Sequence, residues 1–234
     1  MLRLLDWLKE SETRGEWHGT QRRRVLKFAK MKHMSSEHKG RRSHRALSKT
    51  EVAQLLEVWA ADNRHYGVRN YALLRLLIYT GLRSAEVVAL RWEDIDLDAQ
   101  LVRVRHGKGD KERVIAIADV SDNTKQSLVA LRALQADQYE CVFPRLTNGP
   151  NPQFAADIPM HALTIYRVLV VANKRTGIGH LSAHDLRRTH ITLALENGAL
   201  LQDMQAQAGH ASASTTMLYA MPSDAKTRRE RIAF

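Results

Sequence analysis

Near the end of the chain, "AGHASASTTMLYA" sets one histidine, His210, nine positions before one tyrosine, Tyr219. The residues between them are small or hydroxylated and build little core. An aromatic ring in such a place ordinarily fills a gap in helical packing, so a chemical use for Tyr219 needs partners elsewhere. In "HDLRRTH", His184 and Arg187 stand three apart, which puts them on one face of a helix. They also fall in its first turn or so, where unpaired N–H groups and the helix dipole attract an anion such as a phosphate. "TGLRSAE" places Arg83 just after a glycine break and close to another helix start, and Lys108 sits in the glycine-rich "HGKGDK". Taken singly, each is ordinary: a His/Arg pair at this spacing is usually surface, most arginines are solvated, and a lysine on a turn keeps a protein soluble.

These residues need elements to hold them. "LSKTEVAQLLEVWA" has Ser48 and Glu51 in capping-box spacing, then apolar residues at helical intervals. "GVRNYALLRLLIYTG" predicts a second helix stopped at Gly81, and "SAEVVAL" a short third. The period then changes. "LVRVR" and "RVIAI" alternate as strands around a glycine-rich turn that holds Lys108, with a short third strand before them. "NTKQSLVALRALQAD" is helical, and "VFPRLTNGPNPQFAADIP" reads as loop from its Pro, Gly and Asn residues. "HALTIYRVLVVANKRTG" and "SAHDLRRTHITLALENG" are further helices, the latter opened by Ser182 with Asp185 three residues on. "LQDMQAQAGH" and "SASTTMLYA" predict two short final helices. The expected fold class is mainly α with a small antiparallel β-sheet, α+β.

Composition narrows the partners. The 234 residues carry a formal net charge of +11 with 44% hydrophobic residues, enough for a folded core and suited to an anionic partner, nucleic acid or an anionic membrane surface. The excess is uneven: residues 1–45 hold 13 Lys and Arg against 5 Asp and Glu, and the rest 23 against 20. The stretch "TQRRRVLKFAKMKHMSSEHKGRRSHR" reads as a basic, phosphate-seeking arm. A single cysteine, Cys141, excludes an internal disulfide and a Cys-based zinc site, fits a reducing compartment, and reads as packing in "ECVFP". The N-terminus is too short and charged for a secretory signal. "YALLRLLIYTGL", broken by Arg75, is too short to span a bilayer. Among the eleven histidines, His33, His38 and His44 lack paired ligand spacing, and His184 and His190 are six apart, so no metal site is expected.

The order Arg83, Lys108, His184, Arg187, His210, Tyr219, set in "TGLRSAEV", "GKGDKER", "HDLRRTH" and "GHASASTTMLY", resembles the tyrosine recombinase (phage integrase) family from about Leu47 to Tyr219. The resemblance implies a catalytic domain over residues 46–234, with residues 1–45 as a basic arm or the remnant of a further DNA-binding domain. It implies a site-specific recombinase that breaks and rejoins DNA by transesterification. Tyr219 would attack a phosphodiester and form a 3′-phosphotyrosyl bond. A phenol with a pKa of about 10 is a poor nucleophile at neutral pH, which gives the other residues their work. Arg83 and Arg187 would clamp the phosphate with forked hydrogen bonds. Lys108 would protonate the leaving 5′-oxygen, His184 would act as base or proton shuttle, and His210 would donate to the phosphate. Glu86 would support Arg83, or else be a helix-surface carboxylate. The implied partners are double-stranded DNA, a homo-tetramer on that DNA, and accessory DNA-bending proteins. No metal, nucleotide or other cofactor is implied, no membrane either, and the location would be cytoplasmic and nucleoid-associated.

Departures from the family pattern are Arg188 and His190, since a histidine more often follows that arginine directly, and Ala208, where leucine is common. About forty-five residues precede the expected catalytic domain, fewer than the usual helical bundle takes, which fits either a truncated product or a minimal form. Two other readings stay open: a DNA-binding protein of the same fold that does not recombine, and a strand-relaxing enzyme of the type IB topoisomerase kind.

Overall fold

The computed structural model describes residues 45–105 and 112–209. Lys108, His210 and Tyr219, the basic stretch before Arg45, and the expected last helix and tail lie outside the described residues.

Helix α1 (Lys49–Ala60) starts where Ser48 predicts: its hydroxyl accepts the Glu51 N–H, and the Glu51 carboxylate accepts the Ser48 N–H. It buries Val52, Leu55, Leu56 and Trp59. Helix α2 (His65–Thr80) is the hub. Leu73, Leu74, Leu76 and Leu77 are fully buried around its circumference, as expected of a helix enclosed on all sides. It packs against α1, against α4 (Asn123–Gln135), and against α6 (Ala183–Glu196). Arg75, the charge that interrupts the apolar run, lies inside this hub rather than at its surface. It is ion-paired with Asp119 just ahead of α4, and that carboxylate also accepts from the Thr124 N–H and the Ser121 and Thr124 hydroxyls.

Gly81 ends α2 in the left-handed region at φ 64°. A side chain there would also collide with His190, whose Cδ2 would lie 2.7 Å from a Cβ. This position therefore demands glycine on both counts. Helix α3 (Ser84–Ala89) follows at once, and a single 3₁₀ turn, Trp92–Asp94, leads into the sheet. Strands β1 (Ile95–Asp96), β2 (Leu101–Val104) and β3 (Arg113–Ala116) form an antiparallel sheet in the order β1-β2-β3, with Leu101 opposite Ala116 and Val104 opposite Arg113. The alternation of "LVRVR" is realised as Val102 and Val104 facing the core.

The stretch after α4 corrects a sequence expectation. What reads as loop forms a second antiparallel pair, β4 (Pro144–Leu146) with β5 (Phe154–Pro159). Its two prolines sit opposite each other at the open end, where a missing N–H costs no ladder bond. The strand β5 is largely exposed, so no apolar alternation marks it in the sequence. Cys141 is buried, as expected, in an isolated bridge with Arg91; burial first, then the neighbouring Asp157 carboxylate, pushes its thiol up to about 12. Helix α5 (Leu163–Thr176) covers α1, and α7 (Leu201–Ala208) rests on α6 and β3. The described residues are mainly helical with small antiparallel sheets. Among the described residues no helix is long and apolar enough to cross a membrane.

Candidate functional site

The site is built where α2, α3, α6, α7 and β3 meet. Arg83 is the residue immediately before α3, with φ −73° and ψ 153°. Its N–H donates to Glu86 Oε2 at 2.8 Å and its Nη1 to Glu86 Oε1 at 2.7 Å. Glu86 is therefore no helix-surface carboxylate. Its side chain is 4% exposed and receives a second guanidinium, with Arg113 Nη1 and Nη2 at 3.0 and 2.9 Å. Burial alone would raise the Glu86 carboxyl; the hydrogen bonds from Arg113 and Arg83 outweigh it and hold the group below the usual carboxylate range.

Helix α6 opens as its sequence predicts. Ser182 accepts the Asp185 N–H at 3.3 Å, and Asp185 accepts the Ser182 N–H at 2.9 Å. His184 lies in this first turn and is exposed. Arg187, three residues on, is buried. The pair shares a helix and a side, as the spacing requires, yet the two residues stand at different depths.

Arg187 Nη1 donates to the Gly81 carbonyl at 2.6 Å and its Nη2 to the Ala208 carbonyl. Arg83 Nη2 donates to the Gly209 carbonyl at 3.1 Å, and Arg113 Nε to the Gln207 carbonyl at 3.1 Å. Three arginines from three elements thus meet three consecutive carbonyls at the end of α7. The physical reason is plain: a helix C-terminus has carbonyls without helical partners and the negative end of the dipole, so it attracts cations. Gly209, at φ 62°, turns the chain out of the helix just beyond, one residue before His210.

Of the six residues singled out in the sequence, the described structure brings Arg83 and Arg187 together on adjacent carbonyls, with His184 on the same helix as Arg187. Lys108, His210 and Tyr219 fall outside the described residues. Sequence reasoning missed Arg113, although it closes the "GKGDKER" box, and His190 with its partner Gln207. His190 Nδ1 lies 3.0 Å from the Ile78 carbonyl, which can only accept, so this nitrogen carries the proton. Its Nε2 then accepts from Gln207 Nε2 at 2.9 Å, and that amide also donates to the Ala116 carbonyl. Burial, and after it the Arg187 charge, pull the imidazole down to about 4, against the pull of the Ile78 carbonyl. His190 is thus a neutral strut between α6, α7 and the Gly81 turn. Among the described residues, no group of three or more His, Cys, Asp or Glu is placed to hold a metal ion.

Fold and site define a mainly helical domain with three arginines, one buried and two partly buried, gathered at a helix end. The chain belongs to the phage integrase family, whose model matches residues 36–226. It is 33% identical over 173 residues to the tyrosine recombinase XerC of Corynebacterium glutamicum, covering 74% of this chain and 53% of that protein. It is 33% identical over 183 residues to the tyrosine recombinase XerC of Staphylococcus carnosus, covering 76% and 57%. The chain thus spans about half the length of the curated relatives it matches. Among solved structures it is similar to XerA recombinase, with a TM-score of 0.64 at 27% identity over 80% of this chain and 63% of that one. A lambda integrase dimer bound to a COC′ core site shares the fold at a TM-score of 0.57 and 17% identity, over 77% and 60%. The described domain has the fold of a tyrosine recombinase catalytic domain.

Proposed function

We propose that this chain is a site-specific DNA recombinase that cuts and rejoins strands through a 3′-phosphotyrosyl intermediate. The observation that carries this reading is the convergence of Arg83 and Arg187, 104 positions apart, on the adjacent carbonyls of Gly209 and Ala208. In this reading a phosphate would compete for the same guanidinium N–H groups that the carbonyls now accept. Two forked cations at one point suit a phosphodiester whose non-bridging oxygens gain charge as it is attacked.

In this reading Tyr219 Oη attacks the phosphorus and the bond to the 5′-oxygen breaks. His184 takes the phenol proton, and Lys108 gives one to the departing oxygen. His210 and the two arginines hold the non-bridging oxygens. The reverse reaction, with a 5′-hydroxyl from another strand, completes the exchange, and the phosphotyrosyl bond conserves the energy of the one broken. Every cation in this scheme is a side chain. Double-stranded DNA is the substrate. The basic residues 1–45 add non-specific grip, and residues 46–234 form the catalytic domain. Four copies on paired sites, with DNA-bending proteins where a site requires them, complete the assembly.

The test is a nicked suicide duplex chosen from a random-sequence pool by the wild-type chain. The expected result is a covalent protein–DNA adduct that Tyr219→Phe abolishes while non-covalent binding persists. Binding without any adduct would leave a DNA-binding protein of this fold. Plasmid relaxation without strand exchange would leave a strand-relaxing enzyme.

A further inference from the structure

Arg113 sits at the centre of the site, yet the chemistry above gives it no part. Its side chain is 13% exposed, and three of its N–H directions are spent within the protein: two on Glu86 and one on the Gln207 carbonyl. It opens β3, and its partners lie on α3 and α7, so one side chain joins three elements.

We propose that Arg113 is a positioning residue that shares Glu86 with Arg83, so that Arg83 is held in place while keeping its charge for an anion. This rests on the reading that Arg83 meets a phosphate. Charge balance makes the argument. A buried carboxylate facing Arg83 alone would form a neutral pair, and Arg83 would have little pull on a phosphate. With Arg113 present, two guanidiniums share one carboxylate and the cluster carries a net positive charge. The side chain turned outward is Arg83, at 30% exposed; Arg113 is enclosed. The surplus charge therefore faces solvent at the residue that needs it.

Geometry adds to this. Each Glu86 oxygen accepts twice: Oε1 from Arg83 Nη1 and Arg113 Nη1, and Oε2 from the Arg83 N–H and Arg113 Nη2. With four donors on two oxygens the carboxylate has no freedom to swing, and Arg83 inherits that rigidity. A lysine at 113 would supply charge without the fork. The charged groups that face Glu86 are Arg83 before α3 and Arg113 from β3, while Arg187 of α6 reaches the nearby Gly81 carbonyl.

The experiment uses the full chain with Arg113→Ala, Arg113→Lys and the double variant Arg113→Ala/Glu86→Gln. Three quantities are measured: the adduct-forming rate at saturating nicked duplex, the affinity for that duplex, and the Glu86 carboxyl titration by ¹³C NMR. Arg113→Ala should slow adduct formation by about 10- to 100-fold, the usual size for outer supports of functional groups, with little change in affinity. Glu86 should titrate at higher pH. Arg113→Lys should recover little, and the double variant should regain part of the rate because the unbalanced carboxylate is gone. An unchanged rate with an unchanged Glu86 titration overturns the assignment. So does a loss that tracks thermal melting and is not relieved in the double variant. Where Arg113→Ala does not fold, Arg113→Lys carries the same readouts. If the wild-type chain forms no adduct, the recombinase reading fails on its own. The Glu86 titration and the ¹⁵N rotation rate of the Arg83 guanidinium then decide: a raised titration with faster rotation supports positioning, and no change overturns it.

Discussion

Two of the buried carboxylates that arginine holds in this domain, Asp119 and Glu86, are built differently. Asp119 faces one guanidinium, Arg75, and its remaining capacity is closed by the Ser121 and Thr124 hydroxyls and by backbone N–H groups. The side chains are 5% and 2% exposed, and the pair is neutral. Glu86 faces two guanidiniums, one of them open to solvent, and the cluster stands at the negative end of α7. The first arrangement closes every bond and joins α2 to the start of α4. The second keeps a positive surplus at the surface. Burial of the carboxylate does not tell the two clusters apart; the ratio of guanidinium to carboxylate does.

The largest expected effect breaks the neutral pair. Asp119→Ala strands Arg75 as an uncompensated buried cation, which should cost about 3–5 kcal/mol of stability. Chemical denaturation reads it. If the comparison is right, whatever folded Asp119→Ala protein remains should still bind duplex DNA with its salt dependence intact. Arg83→Ala should do the reverse. In the proposed reading it removes a partly exposed group that would hold the phosphate, so adduct formation should fall by about 10²–10³, while the melting temperature changes far less than with Asp119→Ala. Equal stability losses in the two variants would erase the distinction between the clusters.

This contrast also shows what the sequence made legible. Signals confined to a few neighbouring residues were readable. The Ser48–Glu51 and Ser182–Asp185 boxes and the Gly81 stop all appear where the local pattern puts them. So does the three-stranded sheet, because Val102, Val104 and Ile115 alternate inward. The β4–β5 pair was not legible, since its exposed residues leave no hydrophobic period and its prolines read as breaks. Within the site, Arg83 and Arg187 stand out in their boxes. The role of Arg113 does not, because a strand arginine two residues after a lysine looks solvated until Glu86 and Gln207 are brought to it from 27 and 94 positions away. Arg75 and His190 are alike in this. Their partners lie on other elements, and no spacing rule reaches across a fold.

A smaller effect sharpens the comparison through pH. His190 is neutral and titrates near 4 in the folded chain, below an ordinary histidine at about 6.5. Between those values the unfolded chain binds the proton and the folded chain does not, so stability should fall as pH drops from about 6.5 to 4. Asp119, held down to about 2 by its hydrogen bonds despite burial, keeps its contribution through that window and loses it only as pH falls further. Melting temperatures measured from pH 7 to 4 should therefore slope downward in the wild-type chain and more weakly in His190→Gln. An identical slope in both would mean that the strut between α6 and α7 is not what titrates.

The smallest expected effect compares two helix starts of one design. Ser48 and Ser182 each accept the N–H of the residue three ahead, at 3.2 and 3.3 Å, and each is answered by a carboxylate from that residue. Replacing either with Ala should cost about 1 kcal/mol, the ordinary value of an N-cap hydroxyl. Their positions differ. Ser48 opens α1, whose buried face serves the core, while Ser182 opens the turn that carries His184 and leads to Arg187. If that helix end positions the histidine for proton transfer, Ser182→Ala should slow adduct formation beyond what its stability loss explains, and Ser48→Ala should not. The measurement is single-turnover cleavage by both variants at a temperature where each is fully folded. Equal rates would reduce the Ser182 box to a structural cap, with no part in the orientation of His184.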